Sequence, residues 1–205
     1  MNRSVLAIGA HPDDIELGCG GTLVKHVMAG DAVTMLIVTK GEVGPGATDR
    51  RATEQRQSCA VMGVRSLIWG DLPDCQVSLH ELSLVHLIED AIGSTRADTV
   101  YTHNINDSHQ DHRAVALNTM GAARKVSNIL SYDAPSSLNF TPHLYVDISD
   151  AIDKKVDALL CHTSQVEASE MVDPHKVRNS AGYRGHEARV MQAEAFMAVR
   201  YVMAV

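Results

Sequence analysis

Two short segments of this chain set acids and imidazoles side by side: His11-Pro12-Asp13-Asp14, with Glu16 two residues on, and His109-Gln110-Asp111-His112. Imidazole nitrogen and carboxylate oxygen are ligands suited to zinc, and a catalytic zinc commonly takes three of them and leaves a fourth position to water. Such an ion lowers the pKa of that water toward ~7. Amide hydrolysis further needs a carboxylate to take the water's proton, a donor for the tetrahedral oxyanion and an acid for the leaving amine; the two segments together could supply all three. Each segment also has a plainer reading. An Asp-Asp pair after a strand can cap the next helix and complement its dipole, and His109 and His112 can be solvated loop residues.

The surrounding pattern positions both segments for chemistry. Short apolar runs at Val5–Ile8, Val33–Val38, Leu67–Trp69, Thr99–Thr102, Ile129–Ser131 and Leu144–Val146 predict strands, and Thr22–Ala29, Arg51–Met62, Glu81–Thr95 and Arg113–Arg124 predict helices between them. Two more helices are expected over Ala151–Cys161 and Glu187–Met203, the latter from an apolar stripe of Val190, Met191, Ala195, Phe196 and Val199. Strand alternating with helix predicts an α/β fold with a largely parallel sheet, whose ligands bind beyond the carboxyl ends of the strands. The first segment follows the first strand and the second follows the fourth. If those strands are neighbours, both segments open onto one crevice, and Pro12 stiffens the loop that carries His11.

Composition narrows the alternatives. The 205 residues fit one domain, 1–205, and 45% apolar with 21% charged residues excludes a wholly disordered chain. A net charge of −7 with no Lys/Arg block argues against nucleic-acid binding. The apolar run near the N-terminus is too short for a signal peptide or a membrane span, so a cytoplasmic location with no membrane partner is expected. Four scattered cysteines without a C-x-x-C pair indicate neither a thiolate zinc knot nor a disulfide framework. Gly18-Cys19-Gly20-Gly21 lacks the G-x-G-x-x-G spacing of a dinucleotide loop.

With its Ala10-His11-Pro12-Asp13-Asp14 and His109-Gln110-Asp111-His112 motifs, the chain resembles the PIG-L/LmbE-like N-acetylglucosaminyl deacetylases, marked by A-H-P-D-D and H-x-D-H. The similarity continues in order through Gly18–Leu23, Arg51–Glu54, Phe140–Pro142, Val146–Ile148, His162–Gln165 and Ala193–Phe196. It implies a Rossmann-like three-layer sandwich with a mostly parallel central sheet, and hydrolysis of an N-acyl group, expected to be acetyl, from a small amino-sugar conjugate. It implies Zn2+, or another divalent ion such as Fe2+, held by His11, Asp14 and His112. It further implies Asp13 as general base, His109 as the group that polarises or protonates the intermediate, Asp111 as orienting a histidine, Arg51 as binding substrate or oxyanion, and a homo-oligomer, trimer or hexamer.

The resemblance also implies that Val166–Arg184 is the segment where members differ and substrate-binding elements are inserted; Asp107 and the loop Gly41–Asp49 are candidates to line the pocket, with a plain surface-loop reading beside each. A metallohydrolase of a non-sugar amide, hydrazide or ester, and a non-catalytic metal- or sugar-binding module, are the competing functions.

Overall fold

The computed structural model describes residues 2–46, 48–168 and 172–203. Five strands run parallel: β1 (Ser4–Gly9), β2 (Ala32–Ile37), β3 (Ser66–Trp69), β4 (Thr99–Thr102) and β5 (Asn128–Tyr132). They join β6 (Leu144–Asp147) and β7 (Ala193–Arg200) in a seven-stranded sheet of order β3-β2-β1-β4-β5-β7-β6, with β7 antiparallel to both its neighbours. Alternate residues of one strand feed opposite faces. Val5 and Ala7 enter one core with Met35, Ile37 and Phe196, whereas Leu6 and Ile8 enter the other with Leu36, Val38 and Val100.

Helices α1 (Asp14–Met28) and α2 (Thr48–Met62) cover the first face, α3 (Glu81–Thr95) and α4 (Gln110–Ala122) the second. The first face is completed by α5 (Ile152–Leu160), α6 (Thr163–Val166) and α7 (Pro174–Ala188). The expected three-layer α/β sandwich is therefore the fold. Among the described residues, no helix is long and apolar enough to cross a membrane.

Three expectations are corrected. Helix α1 begins at Asp14, eight residues before the predicted Thr22, because its glycines serve close packing rather than a loop: a Cβ on Gly18 would stand 2.2 Å from Cδ2 of Tyr132. Helix α4 likewise starts at Gln110 rather than Arg113, which places Asp111 and His112 in its first turn. The predicted helix over Glu187–Met203 does not form. Helix α7 ends at Ala188, Arg189 takes the left-handed conformation (φ 65°), and Ala193–Arg200 is β7, paired between β5 and β6 with Ala193–Phe196 buried. A strand covered on both faces shows no alternation, and Ala and Glu are good helix formers, so its sequence reads as helix. Helix α7 itself lies largely within the segment Val166–Arg184. Pro174 opens it, Asp173 accepts from the amides of His175 and Lys176, and Val177, Ala181 and Gly185 form a narrow buried stripe.

Candidate metal centre

Strands β1 and β4 are adjacent, Val5 pairing with Thr99, so the chain reverses its direction of winding between them and leaves a crevice at their carboxyl ends. The loop after β1 crosses directly over the residue after β4: the Ala10 amide donates to Nε2 of His103 at 3.0 Å. Asp14 sits in the first turn of α1, where Oδ2 accepts the His11 amide at 2.7 Å.

Around Asp14 the two motifs meet. His11 Nδ1 lies 3.3 Å from Oδ2 and His112 Nε2 lies 3.3 Å from Oδ1. The far side of each ring faces another buried carboxylate. His11 Nε2 is 3.0 Å from Asp74 and 3.4 Å from Asp111, and His112 Nδ1 is 3.2 Å from Asp107. These acids are anchored in turn: Asp111 accepts from the amides of Cys75 and Val77, Asp74 from Val43, and Asp107 from the His109 amide and the Ser136 hydroxyl. The Asp111 carboxylate thus faces His11, while its backbone amide meets His109. Asp107 stands behind His112 and is not part of the cavity wall.

The donor set fits a divalent metal. A tetrahedral ion with bonds of ~2.0 Å separates its ligands by about 3.3 Å, the spacing found from Asp14 to each histidine. Ligating histidines characteristically hand their other nitrogen to a carboxylate, as both do here. His109 adds another nitrogen, so that ligand-capable atoms of His11, His109 and His112 lie within 4.8 Å of one another. His103, stacked on His112 at 4.0 Å, is fully buried with Nδ1 unpartnered.

Charge follows from this crowding. Burial opposes protonation of His11, but Asp111, Asp14 and Asp74 raise it well above the usual histidine range. For His112 burial is likewise outweighed, by the Asp14 charge and the bond to Asp107, giving about 9. Burial and the adjacent His112 hold His103 down to about 4, and burial with the charges of His11 and His112 lowers His109.

Asp13 occupies the N-cap position of α1, yet its side chain makes no capping bond, and its backbone is left-handed with φ 93°. A non-glycine residue held there costs ~1–3 kcal/mol, a strain that concentrates at functional sites. Burial, then the Asp14 charge, push its carboxyl up to about 7.

A cavity of ≈ 290 Å³ is lined by His11, Asp13, Asp14, Arg51, Asp74, His109 and His112, with Leu17, Val43, Pro135 and Gln165 among its apolar and polar walls. Nδ1 of His109 accepts from the Asp111 amide at 3.2 Å, which leaves Nε2 to carry the proton. Arg51 lines the cavity too, but Nη1 donates to Gly41 O at 2.7 Å and Nη2 to Pro12 O at 3.1 Å. Gly41 has φ 65°, and a Cβ there would strike the Arg51 guanidinium, so the loop closes only over glycine. Of the loop Gly41–Asp49, Val43 and Gly44 reach the wall, while Ala47 lies outside the described residues.

Two contributors were not foreseen. His103 directly follows β4 and Asp74 follows the Trp69-Gly70-Asp71-Leu72-Pro73 exit from β3. Their one sequence signal is that placement beyond the carboxyl end of a strand.

This is an α/β sandwich with a cluster of imidazole and carboxylate donors at its switch point. Residues 6–123 match the PIG-L family, GlcNAc-PI de-N-acetylase, and the chain belongs to that family. It is 33% identical over 169 residues to the uncharacterized deacetylase YaiS of Escherichia coli (strain K12), covering 79% of this chain and 91% of that protein. It is 27% identical to the diacetylchitobiose deacetylase of Thermococcus kodakarensis, over 98% of this chain and 83% of the relative. The crystal structure of the conserved protein TT1542 from Thermus thermophilus superposes with a TM-score of 0.88 at 27% identity, covering 99% of this chain and 97% of that one.

Proposed function

We propose that the protein is a zinc-dependent N-deacetylase of a small amino-sugar conjugate. The observation that carries this reading is the paired orientation of His11 and His112, each with one nitrogen on Asp14 and the other on a buried carboxylate. His11, Asp14 and His112 hold the metal, and Asp111 with Asp74 orients His11. When bound, the metal supplies Lewis-acid polarisation of the acyl carbonyl and acidifies a water.

The chain's own groups move the protons. Asp13, raised to about 7, takes a proton from the attacking water as the new carbon–oxygen bond forms, and returns it to the nitrogen as the carbon–nitrogen bond breaks. His109, neutral with its proton on Nε2, donates to the oxygen that gains negative charge. Arg51 shares the wall and is a proposed contact for the substrate through its edge toward the cavity. A second cavity of ≈ 470 Å³ shares Leu17, Ala134 and Pro135 with the first, which supports a substrate extending beyond the acylated amine.

Release of primary amine from N-acetylglucosamine conjugates and simple acetamides, measured with and without zinc, tests the proposal. Asp13→Ala should keep the metal and lose turnover by ~10²–10⁴-fold, the worth of a positioned general base. His112→Ala should lose the metal. Equal zinc content with equal residual activity in the two variants overturns the assignment. Release from non-sugar amides alone retains the chemistry and rejects the sugar.

A further inference from the structure

We propose that Gln55 is a positioning residue that holds Asp13 in its left-handed conformation by clamping the Pro12–Asp13 peptide. The inference rests on the reading of Asp13 as the base, and deepens it. Both polar atoms of that peptide are engaged by α2. The Asp13 amide points to Gln55 Oε1 at 3.4 Å, and the Pro12 carbonyl accepts from Arg51 Nη2 at 3.1 Å. Residues 51 and 55 are four apart, so they project from one face of the helix onto one peptide. Rotation of this peptide is the motion that would carry Asp13 away from φ 93°, and it would break both contacts.

The Gln55 amide is itself oriented. Nε2 donates to Glu16 Oε1 at 2.6 Å, and since a carboxylate only accepts, Oε1 is the end left for the Asp13 amide. Glu16 also accepts from Ser58 Oγ at 2.5 Å and faces His162 Nε2 at 3.2 Å. Glu16, Gln55, Ser58 and His162 are all fully buried, so bulk water does not compete for these bonds. The conformation of Asp13 is thereby tied to a polar cluster reaching from α1 through α2 to the residue before α6.

Gln55→Met keeps chain length and apolar volume while removing the acceptor. The expected result is a kcat lower by roughly tens of fold, given that a ~1 Å misplacement can cost on the order of 100-fold, with KM and zinc content near wild type. In an Asp13→Ala background the same change should cost nothing further. Gln55→Glu, which in its protonated form can still donate to Glu16 and accept from Asp13, should recover part of kcat. A crystal structure of zinc-loaded Gln55→Met should show Asp13 relaxed from the left-handed region. Equal fractional losses in the wild-type and Asp13→Ala backgrounds, or Asp13 unmoved in the variant crystal, overturns the clamp. If the wild type deacetylates nothing, the proposed reaction fails, and the crystal structure still decides whether Gln55 sets the backbone of Asp13.

Discussion

The carboxylate of Asp107 stands 3.2 Å from His112 Nδ1, on the side of the ring away from Asp14, and is held there by the Ser136 hydroxyl and the His109 amide. It fixes which nitrogen of His112 is turned toward Asp14. Asp107→Asn can present its amide nitrogen to the ring and disturb that choice without emptying the space. The expected outcome is metal affinity weakened by ~10–100-fold with the fold intact. Competition with a chelator, read as zinc retained per chain, checks this; wild-type retention would leave Asp107 with no part in the centre.

Gly18 is where α1 packs against Tyr132, the last residue of β5. A Cβ on it would stand 2.2 Å from the ring of Tyr132, whose hydroxyl donates to the Ile8 carbonyl and whose edge meets His103 at 4.9 Å. Gly18→Ala should therefore destabilise by ~1–3 kcal/mol or more through overpacking, although alanine is the better helix former. Urea denaturation decides between the two effects, because a gain in stability would mean that helix propensity wins.

How much of this was legible in the sequence depends on what each residue packs against. Val5–Ile8 and Thr99–Thr102 announced their strands, and the two motifs at their ends announced the site, because local type and spacing carry that information. The early start of α1 was hidden by Gly18, Gly20 and Gly21; the first and last of these are needed for close contact with Tyr132 and Ile148, far along the chain. His103 and Asp74 were missed because each is a single residue in no motif, brought to the histidines by the β1–β4 pairing and by the turn after β3. Strand β7 was misread because its buried acid looks like the polar face of a helix until its partner is known.

That acid is Glu194. It accepts from the amides of Gly21 and Thr22, just past Cys19, whose non-helical backbone (φ −143°, ψ 17°) kinks α1, and from Lys155 Nζ at 2.5 Å, while Lys155 also donates to the Leu17 carbonyl. Both side chains are buried, and removing one partner of such a pair strands a charge. Lys155→Met should cost ~3–5 kcal/mol in chemical denaturation. The double variant Lys155→Met with Glu194→Gln should be less destabilised than the sum of the single changes. Simple additivity would show that the two groups act independently.

Glu54 gives the fold an acid-sensitive joint between α2 and α6. Its carboxylate accepts from Thr163 Oγ1, from the amide and hydroxyl of Ser164 and from Arg50 Nε. Burial opposes ionisation, but the Ser164 and Thr163 bonds and then Arg50 lower the carboxyl below its usual range. A group whose folded pKa is depressed contributes stability above its unfolded pKa of ~4.3 and loses it as pH falls through the folded value. The melting temperatures of wild type and Glu54→Gln should therefore differ most at neutral pH, wild type being higher, and converge below ~4.3 as the wild-type carboxylate takes up its proton. A gap that stays constant or widens toward acid would mean that the amide replaces the carboxylate in every bond that matters, and that α6 is held by shape rather than charge.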